Sequence, residues 1–132
     1  MKNIQSFLES DTKDHYTVTQ PSMLSKIKIR EESTFKWTVP VIENFAYTIT
    51  CKQMRCPNSG VISLGNGKYR YLTERECWRL QGFSDDEFEA ALKAHPGRKG
   101  CLNGELYKQA GNTIPVPVLE SIFEVLIDKY LK

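Results

Sequence analysis

The side chains best suited to covalent chemistry are four cysteines, Cys51, Cys56, Cys77 and Cys101, and a glutamate, Glu43, set in the string VIENF. A cysteine nucleophile needs an activating neighbour, and a base-binding carboxylate needs that nucleophile beside it. The cysteines lack the paired close spacing of a zinc site and Cys77 falls within an expected helix, so reduced thiols and no metal are expected. A second group has the types for recognition. Lys52, Gln53, Arg55 and Asn58 occupy a polar loop from Cys51 to Ser59, and each can bond a phosphate or a base edge. A solvated hairpin tip has the same composition.

The elements that must position these residues follow from periodicity and punctuation. The 132 residues are 40% apolar with a formal charge of +2, which fits one soluble domain and is too mild to select a polyanionic partner. The amino-terminal MKNIQSFLESD has no uninterrupted apolar run, and neither a secretory signal nor a membrane span is expected there or later, so the expectation is a cytoplasmic protein. A short helix is expected over 3–9, another from Ser22 to Ile29, then a mixed charged and β-branched stretch up to Pro40. FAYTIT, 45–50, reads as a strand, and GVISLGNGKYRYL, 60–72, as two strands around Gly65-Asn66-Gly67. Thr73 with Glu76 and Ser84 with Glu87 are two capping boxes. They open helices over 74–81 and 85–93, stopped by Gly82 and by the HPG of 95–97. The last helix takes Pro115 and Pro117 into its first turn and carries apolar residues on more than one stripe, which predicts packing against more than one surface.

A helix pair beginning LTERE could be a helix-turn-helix DNA reader. The second helix, DDEFEAALKA, argues against it, because four acidic residues and one lysine repel phosphate.

Taken together, RYLTERECWRLQGF (Arg70–Phe83) and YKQAGNTIPVPVLESI (Tyr107–Ile122) resemble the last two conserved motifs of the DNA cytosine-5 methyltransferases. YTITCKQMRCPNSGVI resembles the end of that family's target-recognition region, and IQSFLESDTKDHYTV its lead-in. The resemblance implies an α+β recognition lobe of short hairpins, a helix-turn-helix-like pair and an apolar last helix that packs on a Rossmann-like lobe. It also implies a division into 1–69, lead-in and partial recognition region, and 70–132, the carboxyl-terminal motifs.

What the resemblance implies for individual residues is double-stranded DNA contact by Lys52, Gln53, Arg55, Asn58, Arg70 and Arg79. Arg75 would pack under the recognition region while Glu76 closes the cap. Gln109, Gly111 and Asn112 would approach S-adenosylmethionine, although a glycine helix stop with an asparagine cap explains Gly111 and Asn112 equally well. Thr113 and Ile114 stand where serine or alanine and valine are more usual. No catalytic residue is assigned, because the family's Pro-Cys nucleophile is missing, Cys56 being followed rather than preceded by proline, and the family's glutamate site precedes the recognition region, unlike Glu43. The expectation is a carboxyl-terminal fragment or small subunit, inactive alone, whose nucleophile comes from a larger methyltransferase lobe. The alternative is a non-catalytic DNA-binding module.

Overall fold

The computed structural model describes residues 2–28 and 37–132. Asn3 caps a single 3-10 turn, Ile4–Phe7, rather than a helix over 3–9; its side chain accepts from the Gln5 amide and Ile4 is buried. Helix α1 is Pro21–Lys28, so the expected Ser22–Ile29 helix is present one residue earlier at its start. Ile29 and the stretch to residue 36 lie outside the described residues.

Strands β1 (Ile62–Gly65) and β2 (Lys68–Arg70) pair antiparallel. Asn66 and Gly67 both have positive φ, +52° and +71°, the mirror-image turn that matches the right-handed twist of a hairpin. FAYTIT is not a strand: within 45–50, Tyr47 alone reaches across, its amide donating to the Ser59 carbonyl at 3.1 Å. β-Propensity needs a partner edge to act on, and the hairpin's edges are met elsewhere, by Val41 at Val61 and by Thr17 at Arg70.

Helices α2 (Glu74–Leu80) and α3 (Asp85–Ala94) begin at the two capping boxes, both fully formed. α2 ends on Gly82 at φ +93°, where the Gly82 amide donates to the Arg79 carbonyl and the Phe83 amide to the Trp78 carbonyl, closing the last turn. Helix α4 (Gly104–Asn112) was not expected, although Asn103 accepts from the Leu106 amide as its cap. Helix α5 runs Val116–Tyr130 with Pro115 as its N-cap residue.

One core gathers Ile4, Ile49, Leu72, Trp78, Leu106 and Tyr107; a second gathers Val18, Met23, Val39, Val61 and Tyr71. Both draw on residues from either side of position 70. The first-turn carboxylates of α2 tie them together. Glu76, fully buried, accepts from both terminal nitrogens of Arg70 at 2.9 and 3.0 Å, from the Thr73 amide at 2.8 Å and from the Glu9 amide at 2.9 Å. Glu74 accepts from the Tyr16 hydroxyl and from the Asn103 amide at 2.5 Å. Burial first, then that hydrogen bond, push the Tyr16 phenol far above its ordinary range. Replacing Glu76 with alanine strands the Arg70 guanidinium in the interior, so Glu76→Ala is expected to lower unfolding free energy by about 3–5 kcal/mol. Urea denaturation followed by far-UV circular dichroism measures this, and a loss under about 1 kcal/mol would remove the pair from the fold's supports.

Candidate functional site

The polar loop expected from Cys51 to Ser59 forms one helical turn, closed by Arg55 and Cys56 amides on the Lys52 carbonyl at 2.9 and 2.8 Å. It presents Lys52, Arg55 and Asn58 to solvent. Asn58 is held from outside the loop, its Oδ1 accepting from the Trp37 indole N–H at 3.1 Å. Gln53, expected beside them as a DNA contact, is only 2% exposed. Its Oε1 accepts from the Ser59 hydroxyl at 2.8 Å, and its Nε2 is buried without a partner among the described residues, as is the Thr50 hydroxyl oxygen. Gln53 is therefore an internal strut that bridges the two ends of the loop.

The motif arginines face inward or sideways. Arg70, also expected to touch DNA, is buried, and its guanidinium is committed to Glu76 and to the Tyr71 carbonyl. Arg79 forks onto Asp85 at 2.8 and 2.7 Å and donates to the Phe7 carbonyl, and this fork holds the Asp85 carboxyl below the usual carboxylate range. Arg75, expected under the recognition region, packs against the amino-terminal segment and α3. It pairs with Glu9 at 3.3 Å and with Glu89, and lies 4.7 Å over the Phe88 ring. Glu76 closes the cap as expected.

At the end of α4, Gly111 is neither a helix stop nor a cap, because α4 continues through Asn112. A Cβ on Gly111 would lie 2.0 Å from the Cys51 amide nitrogen and 2.2 Å from the Thr50 carbonyl carbon. The glycine lets the backbone entering the polar loop cross the helix. Gln109 is half-buried and its amide donates to Glu105 at 3.3 Å, while Asn112 stands exposed.

Gln81 was missed by the sequence reading. Buried at the end of α2, it donates from Nε2 to the carbonyls of Ala110 and Thr113, at 2.7 and 3.1 Å, and its own carbonyl accepts from Val116. One residue, through its side chain and its backbone carbonyl, thus clasps the end of α2, the end of α4 and the start of α5. Its place just before the Gly82 stop was the available signal, since the C-terminal turn of a helix is where backbone groups need outside partners. An open groove of about 610 Å³ runs past it between Tyr47, Thr48, Gly111 and Thr113.

The family model described as C-5 cytosine-specific DNA methylase matches residues 2–128. The chain belongs to the C-5 cytosine-specific DNA methylase family. Within this methylase family, the orphan methyltransferase M.SPBetaI of Bacillus phage SPbeta is 55% identical over 64 residues, 48% of this chain and 13% of that protein. The type II methyltransferase M.BanI of Aneurinibacillus aneurinilyticus is 32% identical over 124 residues, 86% of this chain and 26% of that protein. The chain thus spans about one eighth of the phage relative and about a quarter of M.BanI. Among solved structures, the Entamoeba histolytica methyltransferase EhMeth superposes with a TM-score of 0.69 over 99% of this chain and 42% of its own, at 16% identity. The S. pombe Dnmt2 methyltransferase gives 0.67 over 96% and 42%, also at 16% identity. At that identity the likeness is one of fold.

For a family whose chemistry is methyl transfer to cytosine, the state of each thiol matters. Cys51, Cys56 and Cys101 are exposed and free; Cys77 is buried, and burial with the Glu76 and Glu74 carboxylates pushes its thiol well up. Glu43 is exposed on the bend after Val41. Among the described residues no His, Cys, Asp or Glu cluster could hold a metal ion.

Two outcomes follow for this methylase chain. Gly111→Ala must push apart two backbones and is expected to cost about 3 kcal/mol or more, with amide shifts at Thr50 to Lys52 in a heteronuclear NMR spectrum; a variant of native stability would place the helix crossing elsewhere. Iodoacetamide at neutral pH is expected to label Cys51, Cys56 and Cys101 while sparing Cys77 until denaturant is added, read by peptide mass spectrometry.

Proposed function

We propose that this chain is the carboxyl-terminal portion, or a small subunit, of a DNA cytosine-5 methyltransferase. It grips and reads double-stranded DNA and completes the S-adenosylmethionine site, while the nucleophile and most of the cofactor pocket belong to a larger Rossmann-like lobe. The observation that carries this reading is the bare face of α5. Val118, Ile122, Phe123, Val125, Leu126 and Ile127 are all more than 40% exposed, and a contiguous apolar surface of this kind marks a site of association. The large lobe is the occupant that suits a methylase chain spanning 42% of the solved methyltransferases it superposes on.

A membrane suits it poorly. An 18-residue window within Gly104–Tyr130 reaches a mean hydropathy of 1.3, yet the chain breaks between α4 and α5. The 15 residues of α5 reach only about 22 Å at 1.5 Å each, against a hydrocarbon core of about 30 Å. The family's soluble members favour a cytoplasmic location. An independent helix-turn-helix regulator is also disfavoured, since α3 opens on Asp85, Asp86 and Glu87 and would meet phosphate with like charge.

Methylating a base inside a duplex requires extruding it into a pocket while the helix is held from both sides. In this division of labour Lys52 and Arg55 are the phosphate contacts that set register, and Asn58 is the base-edge contact. Gln53, Arg70 and Arg79 act through the frame, by holding the loop and the first turn of α2 in place. Asn112, exposed at the end of α4, is the amide this chain offers to S-adenosylmethionine, whose sulfonium methyl is the group transferred. The attacking thiolate and the glutamate that bonds the cytosine ring lie outside the chain.

The test is transfer of labelled methyl from S-adenosylmethionine to cytosine in duplex DNA, by the chain alone and mixed with a protein carrying the family's upstream motifs. Activity in the mixture alone is expected. Activity of the unaccompanied chain would overturn the reading and turn attention to Cys51 and Cys56. Silence in both would leave a DNA-binding module without catalysis.

A further inference from the structure

Beside the recognition loop a hollow of about 360 Å³ opens among Trp37, Thr38, Pro40, Tyr47, Thr48 and Asn58. Among the described residues no carboxylate lines it. Trp37 and Tyr47 are 41% and 48% exposed, and Phe45, 56% exposed, packs edge-on against Tyr47 with ring centroids 5.2 Å apart. The Lys26 ammonium sits 4.8 Å over the Trp37 ring. Such aromatic side chains are not spent on the core; they frame a polar floor made by two threonines and one asparagine.

The asparagine is the informative residue. An indole N–H can only donate, so the atom that meets Trp37 Nε1 at 3.1 Å must be the Asn58 carbonyl oxygen. The orientation of this amide, which ordinarily has to be inferred, is here set by chemistry. With one lone pair of Oδ1 taken by the indole, the two hydrogens on Nδ2 are the fully free hydrogen-bonding groups that the exposed Asn58 presents to a ligand. An unconstrained asparagine favours adenine in the major groove, because it uses its oxygen and its nitrogen together on N6 and N7. An asparagine that leads with its donors has a different order of preference. Guanine offers two acceptors there, N7 and O6; adenine and thymine offer one each; cytosine offers only its N4 donor.

We propose that Trp37 locks Asn58 as a donor-first reader of the DNA major groove, at a base position where guanine fits best and cytosine worst. This rests on the reading of the lobe as the DNA-recognition part of a methyltransferase and adds to it the sense of one base contact and the residue that sets it. The surroundings agree in charge. Lys26 stands over the indole, Lys52 and Arg55 are exposed on the same loop as Asn58, and none of the three forms an ion pair among the described residues. Phosphates flanking the base therefore meet free cations. Trp37 is a positioning residue, acting on the base through the amide it orients.

The experiment uses a pool of duplex oligonucleotides with a randomised core, retained on the immobilised chain at low salt and sequenced. The native chain is expected to enrich guanine over cytosine by roughly tenfold at one position. Trp37→Phe keeps the ring and removes the donor, which frees Oδ1, and the same position is expected to shift toward adenine. Asn58→Asp replaces the donors with acceptors and is expected to move it toward cytosine. Circular dichroism of the three proteins establishes that each is folded. Enrichment that neither substitution changes, or native preference for adenine at the position they do change, would overturn the lock while leaving the recognition lobe intact. Retention without enrichment at any position, by native and variant chains alike, would sink the recognition reading and the lock together.

Discussion

A carboxylate with no water around it governs this structure. Burying the Glu76 charge costs several kcal/mol unless donors replace its hydration. Four do, and they come from three places in the chain: the guanidinium of Arg70 at the end of β2, the Thr73 amide at the head of α2, and the Glu9 amide of the amino-terminal segment. The hairpin, the helix and the leading segment are consequently fixed relative to one another by one side chain. Glu74 repeats the device one turn-face away, joining Tyr16 to the cap of α4. Hydrophobic packing alone would tolerate small slippage between these elements; a carboxylate that must satisfy four directional donors admits one arrangement.

How much of this could be read from the sequence depended on the range of the interactions involved. Both capping boxes, the Asn66-Gly67 turn, the Gly82 stop and the proline-led last helix were legible because each is written within a few consecutive residues. The strand expected at FAYTIT was not there, since residue type gives β-propensity but not a neighbouring edge. α4 was overlooked although Asn103, Glu105 and the buried Leu106, Tyr107 and Ala110 spell out a cap and one apolar face. The burial of Gln53 and Arg70 was beyond reach for a different reason. Polar types are ordinarily exposed, and only the tertiary partners Ser59 and Glu76 reverse that.

The candidate site shows the same division between frame and surface. Its rigid parts are buried polar contacts: Gln53 to Ser59 across the loop, and Gly111 under the Thr50–Cys51 backbone. Its variable parts, Lys52, Arg55 and Asn58, project from that frame. A loop built this way can alter its exposed side chains while leaving untouched the struts that aim them, which is how surfaces on a fixed scaffold diversify.

The Gln81 clasp carries a thermodynamic obligation. It holds the Ala110 and Thr113 carbonyls and the first amide of α5 from the end of α2, while one residue beyond Ala110 the helix presses on the backbone that enters the polar loop. Gln81 thus links α5 to that backbone through the end of α4. If covering α5 alters the loop's affinity for DNA by some factor, DNA on the loop must alter the affinity for whatever covers α5 by the same factor, because linkage between two sites is reciprocal. Assembly and recognition would then be two readings of one equilibrium, with a single glutamine as the joint between them.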